Sequence, residues 1–167
     1  MYYRLRNDEL YDYADYKYAS DCQETDIITQ AELDEHRNKV IVQDGELVLN
    51  PNYDEEEAAK REANFKSQFF EIPNYGWFRK VPKGYSSAVE SLNTAFNAVT
   101  ILQMLPANML IFYQEPDFTI PEQCTEEWLI EHQTTNEQMT VQEFGAFYMA
   151  FMTAWNTQEH VNLAEEE

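Results

Sequence analysis

No lysine or arginine follows Lys83, only four glycines and two cysteines are present, and no apolar run is uninterrupted enough to read as a membrane span. Gly45, Gly76, Gly84 and Gly145 are too scattered to build a loop that cradles phosphates at a helix start. Cys22 and Cys124 lie far apart and outside any CxxC pattern, which excludes structural zinc and a disulfide framework and fits a reduced cytoplasm. The start MYYRLRNDEL lacks the apolar segment of a signal peptide. Ala95 to Tyr113 is the most apolar window, but Asn97, Gln103, Pro106 and Asn108 interrupt it and no basic flank follows, so no membrane partner is expected.

Catalytic patterns are equally sparse. His36, His132 and His160 show neither HExxH nor paired spacing, and Asp8, Asp12 and Asp15 do not meet the spacing of a calcium loop. Gly84-Tyr85-Ser86 lacks the second glycine of a nucleophile elbow, and Ser86-Ser87 is explained by helix capping. Glycoside hydrolysis needs two carboxyls held roughly 5 to 10 Å apart, and a chain this rich in acids singles out no pair. The expectation is a non-enzyme without metal or cofactor.

What is present is acid and aromatic. The chain is 44% hydrophobic and 14% aromatic, with eleven Tyr, ten Phe and three Trp, enough to bury a core despite a net charge of −20. Residues 85 to 167 hold thirteen acids and no base. The one basic cluster is Arg79, Lys80 and Lys83, too small to displace counterions from a phosphate backbone, so direct nucleic-acid binding is not expected. Such acidity serves solubility, or else imitates a polyanion.

Along the chain, YYRL and LYDY around Asn7 and Asp8 predict a hairpin. Thr29 with Glu32 is a capping box opening a short helix from Gln30 to about His36. KVIVQDGELVL predicts a second hairpin through a type I′ turn at Asp44-Gly45. Its register pairs Gln43 with Glu46 and Val40 with Leu49, and puts Val40, Val42, Leu47 and Leu49 on one face expected to be buried. Asp54 to Phe70 predicts a charged connector helix with Glu56–Lys60, Glu57–Arg61 and Glu62–Lys66 pairs and a seam of Phe65 and Phe69.

The central unit is Asn74 to Phe118. It holds a strand over Tyr75 to Val81, a core helix capped by Ser87 and Glu90 with Val89, Leu92, Phe96, Val99 and Leu102 inward, and a strand over Met109 to Tyr113. Thr119 with Glu122 suggests another capped helix followed by a strand. Thr140 with Glu143 opens a helix whose Phe144, Phe147, Tyr148, Phe151, Met152 and Trp155 share one face. That face is read as core for Phe144, Phe147 and Phe151, with Trp155 kept as a contact candidate; Asn156 to Glu167 reads as an acidic tail. The fold class is α+β: an N-terminal β-hairpin module over 1–52, a charged connector helix over 53–71, and a C-terminal module over 72–167 with a small sheet covered by two amphipathic helices.

Trp77, Phe78, Arg79, Lys80, Lys83 and Tyr85 concentrate the residue types that anchor interfaces, so Trp77, Arg79, Lys80, Lys83, Tyr85 and Trp155 are the candidate partner contacts. Two stretches also carry a resemblance. NKVIVQDGELVLNPNYDEEEA with the charged helix after it, and FFEIPNYGWFRK with a helix and LIFYQEPDFT, resemble segments of short tail-module proteins of phages and prophages of Gram-positive and gut bacteria, over about Asn38 to Thr119. In that pattern two or three bases follow the glycine; Arg79 and Lys80 match, while Trp77 and Phe78 occupy the intervening positions. The resemblance implies a setting and no reaction. Its expected partners are other phage tail or assembly proteins, in the bacterial host cytoplasm or incorporated in the virion, with homo-oligomerisation left open. The alternative is an acidic anti-defence inhibitor that mimics nucleic acid in a host defence nuclease.

Overall fold

The computed structural model describes residues 1–164, with side chains through Gln158, as an α+β chain whose residues cluster into two compact units, Met1–Glu57 and Ala58–Glu167. The side chain of His160 and residues 165–167, which the sequence assigns to an acidic tail, lie outside the described residues.

In the first unit, β1 (Tyr2–Arg6) and β2 (Glu9–Ala14) pair around Asn7 and Asp8, both at positive φ, a conformation these two residue types tolerate better than most. A strand too short to show alternation, β3 (Gln23–Glu24), pairs with the other edge of β1. α1 (Gln30–Glu35) has the expected capping box: Thr29 Oγ1 accepts from the Glu32 amide, and Glu32 accepts from the Thr29 amide. β4 (Val40–Gln43) and β5 (Glu46–Leu49) join through Asp44-Gly45 in the register read from the sequence. Tyr3, Ile28, Leu33, Val40 and Leu47 form the core, and the Tyr3 hydroxyl accepts from the Leu47 amide at 3.3 Å. Leu49 is a correction. It stands 53% exposed as the last residue of β5, at the rim of a core that rests on Leu47 and on Val40, its own cross-strand partner.

α2 (Tyr53–Gln68) ends sooner than the connector range 53–71 predicts, and Phe69–Ile72 is β6. A strand there sends Phe70 and Ile72 to one face and Phe69 to the other, and β7 (Gly76–Arg79) supplies its hydrogen-bonding partner. The predicted Glu62–Lys66 helix pair forms. Glu56 accepts from the Asn38 and Asn50 side-chain amides, Glu57 accepts from Asn38, and Arg61 donates Nε–H to the Phe118 carbonyl at 2.9 Å.

β6, β7, β8 (Ile111–Tyr113) and β9 (Gln133–Thr135) make one antiparallel sheet in that order. Phe70, Ile72, Phe78 and Phe112 face a core completed by α3 (Ala88–Leu102) and α5 (Val141–Ala164), the two covering helices the pattern predicts. Phe144, Phe147 and Phe151 are buried there. The opposite face is covered too: Phe69, Trp77 and Tyr113 pack with Phe65 of α2 and with Leu129 and Trp128 of α4 (Glu126–Glu131).

Three expectations need correcting in this unit. α3 turns Ala88, Ser91, Leu92 and Ala95 inward with Val89 and Val99 at the core's edge, leaving Phe96 and Leu102 outside, because small residues on one side let that side lie close to the sheet. Ser87 caps α3, but the Glu90 carboxylate accepts from the Ser86 amide and hydroxyl and not from its cap residue. Thr119 bonds back to Asp117, and the helix after it starts at Thr125, one 3₁₀ turn later. α5, by contrast, has the Thr140–Glu143 box intact, and it continues through Ala164, so 156–164 are helical.

Candidate functional site

Strand alternation decides where the candidate contacts go. Trp77 and Arg79 project to the face of the sheet covered by α2 and α4, while Phe78 enters the other core. Trp77 is half-buried, 5.1 Å from the Phe65 ring. The Arg79 guanidinium lies over Phe69 at 4.8 Å and Tyr113 at 5.7 Å, with one nitrogen 3.5 Å from the Glu126 carboxylate. Such stacking holds the planar guanidinium in place and leaves its edge available for donation.

Arg79 borders two clefts. The larger, about 380 Å³, lies between the turn after β7 and the loop before β8, and Arg79, Lys83 and Tyr85 line it together with Pro106, Asn108 and Met109. Lys83 is exposed on that turn, which the Tyr85 amide closes by donating to the Pro82 carbonyl. Lys80 is directed elsewhere, its Nζ donating to the Lys66 carbonyl at 3.1 Å. Trp155 is not brought near this group: it stacks on Phe151 and lies 5.4 Å from Phe70, in the core on the other side of the sheet. The structure thus assembles Arg79, Lys83 and Tyr85 around one cleft, places Trp77 in the aromatic cluster on which Arg79 stacks, and separates Lys80 and Trp155.

The smaller cleft, about 210 Å³, lies behind the sheet. Arg61, Asn64, Phe65 and Gln68 come from one side of α2, Arg79 from β7, and Pro116, Cys124, Glu126 and Leu129 from the segment around α4. Burial pushes the Cys124 thiol up, against the pull of the neighbouring Arg61 charge. Arg61 was missed by sequence reasoning because i,i+4 spacing assigned it to Glu57; only the fold of residues 116–118 brings the Phe118 carbonyl to it.

A second surface was also missed. Phe96, Ile101, Leu102 and Met104 are 51%, 78%, 55% and 59% exposed, and every residue from Thr100 to Met104 is exposed, so the last turn of α3 projects past the core. Gln103 caps it in the left-handed conformation, its amide donating to the Val99 carbonyl. The signal available in the sequence was only a run of apolar residues, which periodicity assigns to a core. Among the described residues no helix is long and apolar enough to cross a membrane, and no group of three His, Cys, Asp or Glu is placed to hold a metal ion. Comparison with protein-family models, with curated proteins and with solved structures finds no match to this chain.

Proposed function

We propose that this protein acts by protein–protein contact, without catalysis, as a component or assembly factor of a phage or prophage tail. The observation that carries the contact reading is the apolar end of α3. A helix end presenting Ile101, Leu102 and Met104 to water within four residues invites association, and exposed apolar side chains so placed mark interaction surfaces. The setting rests on the resemblance of the stretches between Asn38 and Thr119 to tail-module proteins. Lys83 and Tyr85, which line a cleft with Arg79, supply another surface, of the polar and aromatic character that interfaces use.

The test is crosslinking of tagged protein in a host producing virions, followed by identification of the bound proteins. The expected partners are tail proteins, lost in the double substitution I101E/L102E while the thermal midpoint is kept. Recovery of the same partners by the folded variant would move the contact elsewhere, and a partner set without virion or assembly proteins would remove the tail setting. The second reading, an inhibitor imitating nucleic acid, is favoured by six exposed acids, Glu115, Asp117, Glu122, Glu126, Glu127 and Glu131, within one segment. It predicts salt-sensitive inhibition of a host nuclease, which neutralising these acids abolishes.

A further inference from the structure

We propose that the cleft behind the sheet binds a carboxylate between Arg61 and Arg79. The inference is independent of the tail reading. Two guanidiniums from different elements line one small cleft on a floor that includes the buried Phe65, Phe69 and Leu129. Like charges there repel, and the apolar floor weakens the screening that water would give. A negative group between them removes that cost.

Each guanidinium is anchored in a way that spares donors. Arg61 uses Nε on the Phe118 carbonyl and also bonds the Cys124 thiol, which still leaves terminal N–H groups among its five donors, and Arg79 is held flat by ring contacts to Phe69 and Tyr113. Such fixed forks suit a carboxylate, whose two oxygens accept paired N–H groups. Arg61 is held through a neutral acceptor, the Phe118 carbonyl, in a cleft lined by the rings of Phe65 and Phe69. Arg79 meets only Glu126, at 3.5 Å and with that side chain 68% exposed, a partner an incoming anion can displace. The net charge of −20 disfavours polyanions, and the apolar floor favours an acid with an apolar neighbour. Two sources share this chemistry: a small free acid, and the C-terminal carboxylate of a polypeptide ending in an apolar residue.

The experiment follows the arginine Nε–H resonances of the full-length protein by NMR during titration with benzoate, N-acetyl-phenylalanine, N-acetyl-phenylalanine amide and inorganic phosphate. Saturable shifts of both Arg61 and Arg79 are expected with the two carboxylates and not with the amide. Tighter binding of N-acetyl-phenylalanine than of benzoate assigns a chain terminus; the reverse assigns a small acid. R79Q is expected to weaken binding by about tenfold or more, and R61Q likewise, each checked for an unchanged backbone amide spectrum. R61K, which keeps charge but not the fork, serves if R61Q unfolds, and it too should weaken binding. Absence of saturation with either carboxylate, equal binding of the amide, tighter binding of phosphate, or undiminished binding by folded R61Q, R61K or R79Q overturns the proposal.

Discussion

Asn136 is buried and links three stretches of chain. Its Oδ1 accepts from the Leu110 amide at 2.7 Å, its Nδ2 donates to the Pro106 carbonyl at 2.8 Å, and its own amide donates to the Leu110 carbonyl. Asn136→Ala strands the buried Leu110 amide and removes the donor to the Pro106 carbonyl, and is expected to cost about 1–3 kcal/mol, read by urea unfolding under tryptophan fluorescence. A loss below about 0.5 kcal/mol, the range of ordinary surface substitutions, would mean that water replaces the amide. At the other end of the chain, the Lys39 ammonium and the Thr29 cap hold the Glu32 carboxyl at about 2, below its ordinary 4.5. A depressed folded-state value stabilises the unit above pH 4.5, and that stabilisation is lost as pH falls toward 2. The midpoint difference between the wild type and Glu32→Gln, followed by tyrosine near-UV signal, should therefore be constant above this window and shrink within it. A difference independent of pH would assign the effect to the neutral hydrogen bonds alone.

At the scale of the element, α5 and α3 show two fates of an apolar helix. Phe147 is fully buried and lies within 6.4 Å of the Tyr75, Phe78, Phe112, Phe144 and Phe151 rings, so Phe147→Ala is expected to cost about 3–5 kcal/mol. Trp155 is half-buried at the rim of the same core, and its replacement by alanine should cost less. Thermal midpoints of the two variants side by side decide it: an unchanged midpoint for Phe147→Ala, with partner binding lost, would make this face a groove and not a core. α3 has a comparable apolar content, but its sheet-facing side is Ala88, Ser91, Leu92 and Ala95. Phe96 is therefore left to a tilted ring contact with Tyr148 of α5, and Ile101 and Leu102 stand exposed at the end of the helix.

For the whole molecule, the two units have cores of different weight. The first rests on Tyr3, Ile28, Leu33, Val40 and Leu47, and a core that small leaves little margin over chain entropy. Trp77, Trp128 and Trp155 all belong to the second unit, so tryptophan fluorescence reports it alone while tyrosine signals report both. Leu33→Ala is expected to lower the tyrosine-detected transition of the first unit and leave the tryptophan-detected midpoint in place. A joint shift of both signals would show one cooperative unit.

The local features were legible in the sequence because their energies act within a few residues. The Thr29 and Thr140 capping boxes, the positive-φ turns at Asn7-Asp8 and Asp44-Gly45, the Val40–Leu49 register and the inward face of α5 all follow from such short-range rules. Tertiary structure alone decided the rest. Phe69 and Phe70 suit a last helical turn until β7 offers backbone partners, and Phe96 and Leu102 suit a core until the sheet meets the Ala88, Leu92 and Ala95 side of the helix instead. Arg61 suits an i,i+4 pair until residue 118, far along the chain, arrives with a carbonyl. Burial and partnership at these positions depend on which distant segments meet, and side-chain period along one helix or strand carries no information about that.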